Sequence, residues 1–145
     1  MMILNFRPAQ PSDWPTVVGL LQQTDLLTDD LPNHLTGFWV AFTDAELVGT
    51  AGIAAFGQVG LLRSVAVRPD CQRQQVARQL LERLLIQAQA VGLTDLYLLT
   101  TTASGYFERY GFSTSARETV PDTIRQTRQF SGLCPDTAIL MHKAF

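Results

Sequence analysis

The stretch LLRSVAVRPDCQRQQVARQLLERLLIQAQAVG, residues 61–92, predicts a strand, a short turn and an amphipathic helix in direct succession. Its first seven residues are apolar except for an arginine and a serine, which is typical of a buried strand. Apolar residues then recur every three to four positions over 76–88, and Gly92 ends the helix. With a second buried strand over 95–100, this order favours a parallel, right-handed strand–helix–strand unit.

The rest of the chain alternates shorter strands and helices. A hairpin is expected at Thr43, Asp44 and Ala45, and either Ser12 or Asp13 is expected to cap the first helix. The other predicted strands span 2–7, 38–42, 46–56, 112–114 and 137–141, and the other predicted helices span 14–23, 104–110 and 122–129. This pattern predicts an α/β fold, a mixed sheet of about six to seven strands with about four helices on its two faces.

Length and charge restrict the class of protein. The chain has 145 residues, which fits a single domain over 1–145, and its 46% hydrophobic and 17% charged residues are typical of a globular protein. Residues 8–62 hold six acids and no lysine or arginine, whereas residues 63–83 hold five arginines and two acids. This segregation, with a net charge of -2, disfavours a uniformly basic nucleic-acid binder.

Cysteine and histidine content argues against a metal centre. Cys71 and Cys134 lie far apart in the sequence, and His34 and His142 have no ligand-like spacing. No stretch reaches the length of a membrane span, and the first residues lack the layout of a signal peptide. We therefore expect a cytoplasmic protein with reduced thiols, without nucleic-acid or membrane partners.

The junction between the strand and the long helix is the strongest candidate binding site. A helix N-terminus exposes unpaired backbone N–H groups and a positive dipole end, which bind phosphate groups. Arg73 and Arg78 add side-chain charge there. The alternative is a solvated helix start with surface arginines, because the turn lacks the glycines that usually admit a phosphate.

The run VRPDCQRQQVA (67–77) and the segment YFERYGF (106–112) resemble motifs of the GNAT N-acetyltransferases, in a likeness that covers essentially the whole chain. The family's signature for acetyl-CoA is Q/R-x-x-G-x-G/A. Gln72 fills its first position and Ala77 its last, but Gln75 stands where glycine is expected. In the second motif, Ala103, Glu108, Arg109, Gly111 and Phe112 match, whereas Phe107 occupies the place of the usual tyrosine acid.

A narrower likeness covers residue 61 to the C-terminus. The strings LLRSVAV, LYLLTTTA, YFERYGF and VPDTIRQTRQFSGLCP are similar to the small arsenic-resistance N-acetyltransferases. More loosely, they are similar to the acetyltransferase domain of enzymes that N-acetylate glutamate. The likeness implies transfer of an acetyl group from acetyl-CoA to the amine of a small molecule.

The resemblance also implies a site for acetyl-CoA. In this family the central strands splay apart and the pantetheine arm lies between them, so backbone groups of Val65 and Val67 would bind pantetheine and the thioester. The pyrophosphate would lie on the backbone amides of 73–78, and the hydroxyl of Thr100 would replace part of an asparagine contact. The implied cofactor-binding residues are Val65, Val67, Gln72, Arg73, Gln74, Gln75, Val76, Ala77, Arg78, Thr100 and Phe107.

The general base is less evident. Several relatives carry a glutamate in the strand before the signature, at positions that match Leu61 or Arg63, and neither is a carboxylate here. An alkyl amine is almost fully protonated at neutral pH, so its proton needs a route away. The candidates are His34, Glu118 and ordered water, and Glu118 also fits a solvated loop acid.

Three arginines are candidates for binding an acidic substrate. Arg63 interrupts an apolar strand, where a buried guanidinium needs an acidic partner in the protein or on a ligand. Arg125 and Arg128 lie three residues apart on a predicted helix and fit a carboxylate, phosphonate or arsonate group. The alternative for this pair is a surface ion pair with Asp122 or Glu118.

Two functions from different classes follow. The first is direct transfer of the acetyl group from acetyl-CoA to the primary amine of a small, amino-acid-like acid. The second is a degenerate module that binds acyl-CoA or senses a ligand without efficient turnover, which Gln75, Phe107 and the missing strand carboxylate favour. The resemblance is compatible with a homodimer.

Overall fold

The computed structural model describes residues 4–24, 37–71, 75–100, 103–126 and 138–145. Within them lie seven strands and four α-helices. The strands are β1 (Asn5–Pro8), β2 (Phe38–Thr43), β3 (Glu46–Phe56), β4 (Val59–Val67), β5 (Asp95–Thr100), β6 (Ser113–Thr114) and β7 (Ile139–Ala144), and the helices are α1 (Trp14–Gln23), α2 (Val76–Ala90), α3 (Ser104–Glu108) and α4 (Asp122–Arg125). The predicted α/β class is confirmed.

One sheet contains all seven strands in the order β1-β2-β3-β4-β5-β7-β6. Neighbouring strands are antiparallel except β4 and β5, which are parallel and flank α2 in the chain. The predicted strand–helix–strand unit is therefore confirmed at the centre of the sheet. Asp44 and Ala45 form the hairpin turn in left-handed conformations (φ 49° and 67°), which match the twist of the flanking strands.

Helices cover both faces of the sheet. On one face, α2 and α3 pack over the main apolar cluster, which includes Leu62, Leu80, Leu96 and Phe107. On the other face, α1 covers a cluster around Leu21 and Phe38, and α4 covers a cluster around Leu61 and Ile124. Because successive strand residues alternate between faces, each central strand contributes to both layers.

Asp13 occupies the N-cap position of α1, as predicted, but its side chain makes no capping hydrogen bond to that helix. Its carboxylate accepts hydrogen bonds from the two terminal nitrogens of Arg7 at 2.7 and 2.9 Å and from the backbone N–H of Gln10 at 2.7 Å. It therefore stabilises the short 3-10 turn Pro11–Asp13 that precedes the helix. The carboxylate bonds to the preceding turn and not to α1, because it lies beside the guanidinium of Arg7.

Other predicted boundaries shift by a few residues. The helix predicted over 104–110 ends at Glu108, and Gly111 in the left-handed region (φ 92°) closes the turn that follows. The helix predicted over 122–129 is described as far as Arg125, and the last strand runs over Ile139–Ala144. In the described part of the chain, no helix is long and apolar enough to span a membrane.

Candidate functional site

The two parallel strands at the centre of the sheet pair over only part of their length. β4 and β5 are in register at three residue pairs, Val59–Asp95, Gly60–Leu96 and Leu61–Tyr97. Both strands continue beyond these pairs, β4 to Val67 and β5 to Thr100. Their carboxyl ends therefore diverge and leave a gap in the middle of the sheet. In open α/β sheets, ligands bind at this end of parallel strands.

A β-bulge in β4 lies beside the gap. Gly52 of β3 pairs with Arg63 and Thr50 pairs with Ala66, so β4 carries an extra residue between these two pairs. Ser64 there has a left-handed backbone conformation (φ 58°). The bulge takes Ser64 and Val65 out of the β3 register at the level where β5 diverges. Backbone groups at the bulge are thereby placed to bind a ligand in the gap.

The start of α2 lies at the same end of the sheet. Gln75 precedes the helix in a left-handed conformation (φ 59°), which costs little only for glycine. Val76 is fully buried beneath it, whereas Arg78 on the first turn is exposed. The backbone at Gln75 thus has the shape that glycine favours although the residue carries a side chain.

α3 follows β5 on the same side of the sheet as α2. The hydroxyl oxygen of Thr100, at the end of β5, accepts a hydrogen bond from the backbone N–H of Ala103 at 3.0 Å. Phe107 is 8% exposed and packs edge-on against Phe112, with ring centroids 6.1 Å apart. Its neighbour Tyr106 is hydrogen-bonded through its hydroxyl to that of Tyr110, 3.2 Å away. Burial, with this hydrogen bond, raises the pKa of Tyr106 above its usual value.

Comparison with known proteins identifies the family. Residues 34–114, more than half of the chain, match the model of the acetyltransferase (GNAT) domain. The chain belongs to the GNAT acetyltransferase family. This span of the GNAT domain contains the central part of the sheet, the bulge, α2 and α3.

Curated relatives are larger proteins. An amino-acid acetyltransferase of Neisseria meningitidis is 26% identical over 138 residues, which cover 89% of this chain and 32% of the relative. An amino-acid acetyltransferase of Escherichia coli K12 is 28% identical over 100 residues, 68% of this chain and 23% of the relative. The chain thus spans about a third of the first relative and less of the second.

Solved structures share the GNAT fold. N-acetylglutamate synthase from Neisseria gonorrhoeae, in complex with coenzyme A and N-acetyl-glutamate, superposes with a TM-score of 0.83 at 23% identity, covering 98% of this chain and 35% of that one. A Mycobacterium tuberculosis protein in complex with CoA also gives a TM-score of 0.83, at 22% identity, covering 97% and 99% of the two chains. The relatives named here are amino-acid acetyltransferases, and the likeness to the arsenic-resistance subgroup stays a prediction.

The structure brings five of the eleven predicted cofactor residues together in one apolar cluster. Val67, Val76 and Phe107 belong to the main apolar cluster, and Val65 and Ala77 pack against it. The three predicted residues Gln72, Arg73 and Gln74 lie outside the described residues, as do His34 and Arg128. The five described residues named first form an apolar cluster beside the gap.

The two described substrate-binding candidates, Arg63 and Arg125, lie on the face of the sheet opposite α2. Arg63 is 7% exposed and shares the face of Leu61, and its Nε donates a hydrogen bond to the Ser64 hydroxyl at 3.1 Å. Arg125 donates to the backbone carbonyl of Glu118 at 3.1 Å and lies 3.8 Å from the Asp122 carboxylate. These contacts fit the alternative for Arg125, a surface arginine, with Glu118 engaged through its backbone rather than its exposed carboxylate.

A cavity of about 410 Å³ lies away from the gap, between the end of β3 and the second half of α2. Its described lining is largely apolar, as in Ile53, Phe56, Leu84 and Val91, and includes no charged side chain. An anionic donor has no partner for its phosphates there. The gap between β4 and β5, rather than this cavity, is the candidate functional site.

Sequence reasoning missed the bulge and the hydroxyl pair. No local pattern in 61–67 marks Ser64 as left-handed, because serine is tolerated in strands and turns alike. The hydroxyl groups of Tyr106 and Tyr110 lie 3.2 Å apart. Their spacing of four residues, one turn apart, was the available signal that the two side chains meet.

Proposed function

We propose that this chain is an acetyl-CoA-dependent N-acetyltransferase that acetylates the primary amine of a small, amino-acid-like acid. The divergence of β4 and β5 beside the bulge carries the proposal. It opens a gap of main-chain polar groups with an apolar wall, which suits the amide-containing, largely apolar pantetheine arm. Membership of the GNAT family and the names of its amino-acid acetyltransferase relatives support the same activity.

The donor side follows from the residues around the gap. Backbone groups of Val65 and Val67 hydrogen-bond the pantetheine arm, and the left-handed backbone at Gln75 presents the first amides of α2 to the diphosphate. Arg73 and Arg78 add positive charge. The Thr100 hydroxyl donates a hydrogen bond to the donor molecule, while its oxygen accepts one from the backbone N–H of Ala103. Acetyl-CoA supplies an activated acetyl group as a thioester.

Transfer of the acetyl group to the acceptor relies more on the relative positions of the two substrates than on a dedicated general acid. The amine attacks the acetyl carbonyl directly, and a backbone N–H at the bulge stabilises the negative charge that develops on the carbonyl oxygen. Phe107 has no proton to give, but a thiolate is a good leaving group. His34, Glu118 or water removes the proton from the amine, and Glu118 has the exposure to exchange it with solvent.

Arg63 anchors the acid group of the acceptor. Its guanidinium is buried beside the bulge on the face opposite α2, so an acceptor bound there approaches the acetyl group from the side away from the donor. Charge-assisted hydrogen bonds to a carboxylate, phosphonate or arsonate are the natural use of such a group. Arg125 and Arg128 remain secondary candidates for the same role.

A mass-spectrometric screen with acetyl-CoA tests this function. Free amino acids, aminophosphonates, an amino-arsonate, polyamines and peptides are incubated with the enzyme, and acetylated products and free CoA thiol are measured. We expect acetylation of one class of amino acid, with Arg63→Met raising the KM for the acceptor at least tenfold and leaving the KM for acetyl-CoA unchanged. Arg83→Met is the control, because this half-buried arginine of α2 lies over the ring of Phe6 on β1, at the edge of the sheet.

The runner-up is a module that binds acyl-CoA without turnover, and the buried Phe107 at the place of the usual acid favours it. Binding of acetyl-CoA with no acetylation of any amine in the panel would support this module and contradict the enzyme. Absence of CoA binding would contradict both.

A further inference from the structure

Gly49 of β3 lies directly beneath the first turns of α2. A Cβ at this position would lie 2.7 Å from Cγ1 of Val76 and 3.2 Å from Cδ1 of Leu80. Real Cβ atoms essentially never come within 3.0 Å of a neighbour. Both neighbours are fully buried, and Val76 is the first residue of the helix. The start of α2 can therefore lie at its present distance from β3 only because residue 49 has no side chain.

Space, and not backbone conformation, is the reason for glycine at this position. Gly49 lies inside β3 and does not have the positive φ that favours glycine. Glycine weakens the interior of a strand, and it often marks a place where another part of the structure approaches closely. The approach of α2 is such a case.

The contact connects the two parts of the proposed donor site. Gly49 is the register partner of Val67 in β4, whose backbone is proposed to bind the pantetheine arm. Val76 directly follows Gln75, where the backbone amides proposed to bind the diphosphate begin. Gly49 thus lies beside the strand that would bind one part of the donor and against the helix that would bind the other.

The distance between these two parts matters because one molecule has to reach both. The pantetheine arm and the diphosphate are joined covalently, so both sets of contacts form only when the helix start and the end of β4 are correctly spaced. Val76 does not easily turn its side chain away from a new Cβ, because a valine in a helix has one strongly preferred rotamer. A side chain at residue 49 would therefore move the start of α2 away from the sheet.

We propose that Gly49 is a positioning residue for the acyl donor, because its missing side chain sets the distance between the first amides of α2 and the end of β4. The inference rests on the proposed function, because it requires a CoA-type donor at the gap between β4 and β5. Gly49 acts through Val76 and takes no part in the chemical step.

Gly60 provides a matched control. It lies near the start of β4, at the end of the sheet away from the gap. A Cβ there would lie 2.8 Å from Cδ2 of Leu96 and 2.8 Å from Cγ2 of Ile53. Alanine at residue 60 is therefore as crowded as alanine at residue 49, but it meets no side chain of the proposed donor site.

Calorimetric titration with CoA tests the inference on the wild type, Gly49→Ala and Gly60→Ala. We expect both variants to lower the Tm, because both crowd the core. Gly49→Ala should also weaken CoA binding about tenfold, the loss typical of one hydrogen bond to a charged group. Gly60→Ala should leave the affinity for CoA unchanged.

Two further measurements separate positioning from a general loss of stability. Pantetheine, which lacks the diphosphate, should bind the wild type and Gly49→Ala equally when its affinity is measured by displacement of CoA. Gly49→Ala combined with Val76→Ala, which removes the methyl group that the new Cβ meets, should bind CoA more tightly than Gly49→Ala alone. If Gly49→Ala does not fold, Val76→Leu crowds the same contact from the helix and should also weaken binding of CoA but not of pantetheine.

An unchanged affinity for CoA in the crowded variant overturns the inference. An equal loss in Gly60→Ala, an equal loss for pantetheine, or a double variant that binds no more tightly than Gly49→Ala also overturns it. If the wild type binds no CoA, the proposed function itself fails. If the wild type binds CoA and only the differences between the variants are missing, the proposed function stands.

Discussion

Gln75 occupies a backbone conformation that its side chain opposes. In the left-handed region the Cβ of an L-residue approaches the neighbouring carbonyl oxygen, at a cost of about 1–2 kcal/mol. The GNAT signature expects glycine at this position, and the structure gives the physical reason, since φ is +59° at the residue before α2. Gln75 therefore keeps the backbone conformation that the signature glycine would adopt, and the substitution adds strain without changing that conformation.

Gln75→Gly should raise the free energy of unfolding by up to about 1 kcal/mol, because relief of the left-handed strain exceeds the entropy that glycine adds to the unfolded chain. Gln89→Gly, at an exposed position inside α2, should lower it by about 1 kcal/mol. Urea denaturation of both variants measures the difference. A similar loss in the two variants would show that Gln75 is not strained.

Asp13 and Arg7 provide a pH-dependent contribution to stability. The two hydrogen bonds from Arg7 hold the pKa of the Asp13 carboxyl below its usual value. A carboxyl with a lowered pKa in the folded state stabilises the protein above its unfolded pKa, near 4, and this contribution is lost as the pH falls through the folded value.

Asp13→Asn should therefore lower the Tm clearly at neutral pH, and the difference from the wild type should shrink as the pH falls below about 4. Asp122→Asn is the control, because that carboxylate is exposed and 3.8 Å from Arg125. Thermal unfolding followed by circular dichroism at several pH values gives the comparison. A constant difference across the pH range would exclude the ion pair as the cause.

At the scale of the element, the bulge in β4 depends on the left-handed conformation of Ser64, and its backbone groups lie beside the gap. Ser64→Val should destabilise the protein by about 1–2 kcal/mol and lower kcat, because a β-branched residue is strongly disfavoured at φ 58°. Ser64→Gly should keep kcat near that of the wild type, although the hydrogen bond from Arg63 is lost. Denaturation and steady-state kinetics of the two variants are the measurements. Equal kcat in both variants would separate the bulge from catalysis.

Elements with a strong local signal could be predicted from the sequence. The apolar period of α2 gave its core face, and Gly92 placed its end within two residues. The β2–β3 hairpin also followed from local pattern. Partial pairing of β4 with β5 could not be predicted from residues, because apolar strands look alike whether their neighbours stay close or diverge. The splay entered only through the family resemblance. The hydrogen bonds of the Asp13 carboxylate did not follow from helix-capping rules, because its partner Arg7 lies in β1, before the turn.

Across the whole molecule, the four arginines of 63–83 that the structure describes do not form one basic patch. Arg63 is buried on the α4 side of the sheet. Arg68 binds the carboxylates of Glu46 at 3.0 Å and Asp70 at 2.7 Å, and Arg83 lies over the ring of Phe6, 4.3 Å from its centroid. Among the described four, Arg78 is the one at the mouth of the gap. The charge of these arginines is thus dispersed: Arg78 lies on the proposed donor side, Arg63 on the proposed acceptor side, and Arg68 and Arg83 are held by other residues.

Binding of the donor should therefore bridge two halves of the sheet that pair over only three residues. The β1–β4 half and the β5–β7 half meet through Leu61 and Tyr97, and a ligand between their carboxyl ends supplies the missing backbone contacts. At 100 times its dissociation constant, acetyl-CoA should stabilise the folded state by about 2.7 kcal/mol. Hydrogen exchange followed by mass spectrometry should show the added protection in 62–67 and 98–100 and little change in β1 and β2. Protection confined to the β1–β2 edge, or to the end of β3 beside the apolar cavity, would place the donor elsewhere and contradict both the proposed site and the proposed donor and acceptor sides.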